Sequence, residues 1–207
     1  MKIIKPKISK FLDNVSLNYN LVNNNLVDLE ITNQEIDFEI EGIEFNGCKF
    51  VNVDFSKIPF KNVDFIDCIF EKCNLAGASF SKKGIHRVIF NKCNMVGCNF
   101  ISCSIKDVSI LETKGDYINF SNSKISNLEV NGCTMKEGSF VSVNFKDIIF
   151  NNTNFEASEF LNTKLYNIDF STCNITGMGV CSNDIKGIIV NEEQALMLIS
   201  LFGIIVK

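Results

Sequence analysis

Apolar side chains occupy every multiple of five from Ile40 to Val190, with Gly115 the single exception. The run includes Phe45, Phe50, Phe55, Phe60, Phe65 and Phe70, and later Phe140, Phe145, Phe150, Phe155 and Phe160. An amphipathic helix repeats about every 3.6 residues and a strand every two, so neither explains a period of five. The backbone must turn inward once in five residues, as the coils of a solenoid do. A second signal sits two residues earlier in each unit, at Cys48, Val53, Ile58, Val63, Cys68, Cys73, Ala78, Val88, Cys93, Cys98 and Cys103. Nearly all these side chains are small or β-branched. A large residue and a small one on alternate pleats would fill a narrow coil interior, with the intervening Asn, Asp, Lys, Ser and Glu facing water.

Units such as Val63-Asp64-Phe65, Cys73-Asn74-Leu75, Cys98-Asn99-Phe100 and Thr153-Asn154-Phe155 carry a small residue, Asp or Asn, then a large apolar one. In this the chain resembles the pentapeptide-repeat family over about three quarters of its length. The resemblance implies an all-β fold, a right-handed quadrilateral β-helix with four units per coil. Columns then follow at twenty-residue spacing: Phe60, Phe80, Phe100, Phe120, Phe140 and Phe160 share one inner ladder. Cys73, Cys93, Thr113, Cys133, Thr153 and Cys173 share one small slot. Parallel Cβ vectors on neighbouring rungs suit disulfides poorly, so free thiols are expected. Eight of the nine cysteines lie in slots, and Cys181 lies outside them. The span from Ile40 to Val190 makes about seven and a half coils, roughly 36 Å of rod.

Both ends depart from the repeat. Leu21, Leu26, Ile31 and Ile36 keep the five-residue step but sit one residue out of phase with Ile40. A one-residue slip between Ile36 and Ile40 is expected, in the form of a bulge. Beyond Val190, residues 191–203 predict a helix. Asn191 suits the N-cap, Glu192 and Glu193 the positive end of the dipole, and Gly203 the position after the last turn. From Ala195 to Phe202 only Ser200 is polar, and a helix apolar nearly all round needs cover on more than one side. One side can close the solenoid and the other needs a partner. Ile204, Ile205 and Val206 read as a short strand. The expected organisation is an N-terminal extension (1–20), the β-helix (21–190) and a C-terminal dimerisation module (191–207).

Two stretches break the pattern inside the array. Lys83 falls on an inward slot, where an unpaired charge is costly, so the backbone bulges there or the lysine escapes. With Lys82, His86 and Arg87, which include the chain's only His and only Arg, it forms a candidate contact for a partner. The plainer alternative is a solvated charge cluster. At Gly115 the fourth column is empty, through either a tight corner or an excursion of a multiple of five residues.

Charge is uneven. Lys2, Lys5, Lys7 and Lys10 open the chain, and residues 11–48 then hold eight acids and no Lys or Arg. The net charge of −4 argues against nucleic-acid backbone as a partner. The acidic stretch could meet a basic protein surface or be a solvated end. No apolar run is long enough to span a bilayer, and no secretory leader opens the chain, so a cytoplasmic protein with reduced thiols is expected. A lone histidine, no CxxC or HxxxH spacing and no phosphate-binding glycine loop leave no catalytic, metal or cofactor site, so no enzyme is expected.

Gln194-Ala195, Leu198, Gly203-Ile204 and Val206, directly after the last coil, resemble the quinolone-resistance type of the family. The stretch Gly84-Ile85-His86-Arg87-Val88-Ile89-Phe90 resembles chromosomal relatives from Gram-positive bacteria. The resemblance implies a homodimer through Ala195, Met197, Leu198, Ile199, Leu201 and Phe202. It also implies binding to DNA gyrase or topoisomerase IV, with protection from quinolones. Beyond residue 48 the chain is charge-neutral and lacks long loop insertions, unlike the acidic members that imitate DNA. The alternative is a structural or interaction scaffold with another partner.

Overall fold

The computed structural model of the chain describes residues 2–17, 25–80 and 82–205. Ser81, Leu21 of the expected first coil and Val206 of the expected C-terminal strand lie outside them.

The five-residue period arises at corners. From Gly42 to Asn167 the residue two after each inward side chain takes up the left-handed conformation. Around one coil Asp67, Lys72, Gly77 and Lys82 have φ of 53, 54, 69 and 63°. For residues other than glycine this costs about 1 kcal/mol or more, least for Asn and Asp. Each corner redirects the chain by one side, and four of them close a coil of twenty residues. The result is a four-sided parallel β-solenoid. Eight-residue strands such as Asp64–Glu71, Gly84–Asn91 and Ser104–Leu111 wrap one corner and stack in strict register, Ile105 on Ile85 and Ile125 on Ile105.

The interior is built as the repeat predicts. Phe60, Phe80, Phe100, Phe120, Phe140 and Phe160 form one continuous stack, with successive ring centroids 4.7, 4.7, 4.9, 5.4 and 4.5 Å apart. Such pairs add about 0.5–1.5 kcal/mol each beyond the burial of area. Backbone bonds tie the same rungs, Phe80 N–H to the Asn99 carbonyl and Phe100 N–H to that of Asn119, both at 2.7 Å. Gly115 interrupts nothing. Ile118, in the slot that holds Ala78 and Cys98 on the preceding rungs, is fully buried and comes within 3.7 Å of where a Gly115 Cβ would stand. A larger slot residue thus fills the space that the missing fourth-column side chain leaves.

The slot residues do more than pack. The thiol of Cys98 donates to the Leu75 carbonyl at 2.8 Å, and that of Cys103 to the Phe80 carbonyl at 2.9 Å. Hydroxyls take the same role in Ser123, Ser158 and Thr163, each 2.6 Å from the carbonyl of an inward residue one coil earlier. A small side chain with one donor therefore suits the slot, which accounts for the abundance of Cys, Ser and Thr there. All nine cysteines are free thiols, and only Cys181 is not buried.

The phase slip near the start is real, but a bulge is not its form. Leu26 pairs with Phe45 and Ile31 with Phe50, nineteen residues apart, whereas Ile40 pairs with Phe60 at twenty. The side between Ile36 and Ile40 is one residue short. Deleting a residue at a corner moves the later inward positions without inserting an unpaired group into the ladder, as a bulge would.

Phe100→Ala should lower stability by about 3–5 kcal/mol in denaturant unfolding, because the hole lies between two stacked rungs that cannot close over it. In the native state a bulky thiol reagent should modify Cys181 well before any other cysteine. Early labelling of Cys73 or Cys93 would contradict the packing described.

Candidate functional site

The C-terminal end is closed by a helix, Glu192–Ile199, continued by a tighter turn over Ser200–Phe202 and stopped at Gly203 with φ of 68°. Asn191 caps it: its Oδ1 accepts from Gln194 N–H at 3.0 Å, and its own N–H donates to Gln194 Oε1 at 2.9 Å. Gln194 is 3% exposed and its side chain enters the end of the coil. Its Nε2 donates to the Phe170 carbonyl at 2.9 Å and to the Cys173 carbonyl at 2.6 Å. Within the array, the first kind of carbonyl accepts from a slot side chain and the second from a backbone N–H of the next coil, as Asn94 N–H donates to Cys73. One carboxamide thus stands in for both donors of a rung that does not exist. This answers the open-edge problem of a β array.

The opposite side of the helix is apolar and open. Leu196, Met197, Leu201 and Phe202 are exposed, Phe202 by 58%, as are Ile204 and Ile205 beyond it. Ala195 and Ile199 are half-buried, while Leu198 packs against the solenoid core. Leu196, not among the residues expected at an interface, belongs to the exposed face. Ile204 and Ile205 form no strand. Between helix and last coil runs a groove of about 430 Å³, lined by Ile175, Met178, Met197 and Leu201 among others.

The basic stretch is not a loop. Its backbone stays in register, with Ser104 N–H on the Lys83 carbonyl and Gly84–Asn91 forming a full strand. Lys83 escapes the slot, and its Nζ donates to Asn62 Oδ1 at 2.9 Å. Lys82 and Arg87 occupy successive corners, so the four residues Lys82, Lys83, His86 and Arg87 do not converge. Arg87 is tied down: Nε and Nη2 reach the two oxygens of Asp67 at 2.6 and 2.7 Å. Burial alone would raise the Asp67 pKa. The Arg87 guanidinium and the Lys7 N–H outweigh it and hold the carboxyl below its ordinary value.

That Lys7 bond marks a feature the sequence reading missed. Residues 2–10 lie along the corner column of Asp67, Arg87 and Asp107. Lys7 N–H donates to Asp67 Oδ1 at 2.9 Å and Ile4 N–H to Asp107 Oδ1 at 3.2 Å. The periodic signal could not reveal this, since the arm has no repeat and its bonds span 60 and 103 residues.

The model of the pentapeptide repeat region matches residues 63–140, and that of eight-copy pentapeptide repeats matches residues 139–177, together more than half of the chain. The chain belongs to the pentapeptide-repeat family. No curated protein matches it in sequence. Among solved structures, a trypsin-treated form of QnrB1, described as a plasmid-mediated fluoroquinolone resistance protein, is 17% identical. That likeness covers 89% of this chain and 99% of the other, with a TM-score of 0.34. HetL, a pentapeptide-repeat protein involved in heterocyst differentiation regulation in the cyanobacterium Nostoc sp. strain PCC 7120, is 13% identical. It covers 82% of this chain and 90% of its own, with a TM-score of 0.34. Rfr23 from the cyanobacterium Cyanothece 51142 is 12% identical over 45% of this chain and 60% of its own, with a TM-score of 0.38.

In this pentapeptide-repeat protein the chemistry-bearing side chains serve the scaffold. Burial pushes the Cys98 thiol up, and pushes that of Cys103 up to about 11, so neither is a thiolate at neutral pH. Among the described residues no group of three or more His, Cys, Asp or Glu could hold a metal ion, and no helix is long and apolar enough to cross a membrane.

Gln194→Leu should leave the Cys173 carbonyl at the coil end without its donor and the Phe170 carbonyl with only the Cys173 N–H. The expected cost is about 2 kcal/mol, with faster amide exchange confined to residues 170–190; unchanged exchange there would show that Gln194 does not cap the rod.

Proposed function

We propose that this protein is a non-catalytic interaction rod that dimerises through its C-terminal helix and binds a type II topoisomerase, DNA gyrase or topoisomerase IV. The exposed face of Leu196, Met197, Leu201 and Phe202 beside an apolar groove carries the dimer. An apolar patch of this kind marks an interface, and a two-fold, self-complementary contact is the commonest way to cover one. Each Å² covered contributes about 25 cal/mol. The topoisomerase partner rests on the sequence resemblance around Gln194-Ala195, Leu198 and Gly203-Ile204, with protection from quinolones as its consequence.

A second reading is favoured by the unbroken array. The bridges from Ser79 to Asn99, Asn119, Ser139, Glu159 and Gly179 leave no room for a protruding loop. A partner must then be met by the sides, the corners or the ends of the rod, as in a scaffold for a different protein.

Met197→Glu should convert a dimer to a monomer in light scattering while the β-sheet circular dichroism is unchanged. A monomer mass for the unaltered protein would refute the dimer. The partner is tested by gyrase supercoiling with and without ciprofloxacin as the protein is titrated: inhibition or relief from the drug supports the topoisomerase, and no effect of either kind leaves the scaffold reading.

A further inference from the structure

The N-terminal arm rests on a repeating set of acceptors. Asp67, Arg87, Asp107, Asn127 and Asp147 occupy the same corner on successive rungs, all in the left-handed conformation that turns the side chain outward. Carboxylates therefore recur every second rung, about 9.6 Å apart. Three residues of extended chain cover about 10 Å. A backbone running along the rod axis can thus present an N–H to each carboxylate at a spacing of three residues, and Lys7 and Ile4 do so on Asp67 and Asp107. Pro6, between them, has no N–H to satisfy and favours an extended chain. Ile3, Pro6 and Ile8 are half-buried against the rod, and the carboxylates beneath are 6% and 2% exposed.

Little else holds the arm. Residues 2–10 form no strand, and their four lysines are exposed and close no ion pair among the described residues. The third carboxylate of the series, Asp147, is exposed, and beside it lies a groove of about 480 Å³ lined by Lys146, Lys164 and Tyr166 among others. The column carries three carboxylates against one guanidinium, and over Asp67 and Asp107, away from Lys146 and Lys164, the occupant it favours is cationic.

We propose that this corner is a docking track for an extended, lysine-rich segment of a partner protein, and that residues 2–10 occupy it in cis as a displaceable strap. The partner segment is read through backbone N–H groups three residues apart, with apolar side chains toward the rod and lysines toward water. A segment long enough to reach Asp147 as well engages one acceptor more than the strap and displaces it. This proposal does not depend on the topoisomerase reading or on the dimer.

The test uses the full chain and a fluorescent synthetic peptide of residues 1–12. In the double variant Ile4→Pro/Lys7→Pro both donating N–H groups are gone, and trypsin should cut after Lys10 at least tenfold faster than in the unaltered chain. The peptide should bind this opened chain on the order of tenfold or more tighter than the unaltered one, whose track is filled. Adding Asp107→Asn, which repeats the asparagine already present at Asn127, should remove most of that gain without altering the circular dichroism. Equal binding to opened and unaltered chains, binding insensitive to Asp107→Asn, or unchanged tryptic cleavage would each overturn the proposal.

Discussion

The structure depends on a corner that L-residues take up unwillingly. From Gly42 to Asn167 every fifth residue sits at positive φ, and most of these positions are not glycine. Such a corner persists only where the surroundings hold it. Here each corner delivers one large apolar side chain to the interior and one stretch of backbone to the ladder, and identical corners stack on it above and below. The phenylalanine column and the inter-rung bonds are therefore conditions for the corners to exist. The same coupling explains why a lysine in a slot leaves the backbone undisturbed: shifting it would break the register of neighbouring rungs, whereas a long side chain can reach out to Asn62.

Interior chemistry follows from the same geometry. The carbonyls of inward residues accept a further hydrogen bond inside the coil, and the slot thiols and hydroxyls donate it. Cysteine combines small size, low polarity and one donor, so its abundance here reflects hydrogen bonding in a dry interior. At Cys98 and Cys103 the burial that makes the thiol useful as a donor also opposes its ionisation.

Function in such a rod is left to its ends and its outer corners. At the C-terminus Gln194 finishes the ladder on one side of the helix while the other side offers apolar surface. Along one corner, outward carboxylates at a two-rung spacing meet an extended chain. Along that corner the rung spacing that builds the fold also sets which backbone can lie on it.

How much of this the sequence determined is clear from particular residues. The period of five, the twenty-residue ladder from Phe60 to Phe160, the buried thiols and the Asn191 cap with its Gly203 stop were legible, because each is a local pattern repeated or a short-range motif. The slip before Ile40 was legible as a change of phase, but its form as a shortened side was decided by the pairing of Leu26 with Phe45. Ile118 filling the space beside Gly115 needed the coil geometry, since the two residues lie in different columns. The pairing of Arg87 with Asp67, the double role of Gln194 and the seating of residues 2–10 on Asp67 and Asp107 came only from the tertiary structure. The reason is physical: periodicity records which side of the chain faces the core, whereas these contacts join outward or terminal groups far apart in sequence that meet only once the coils are stacked.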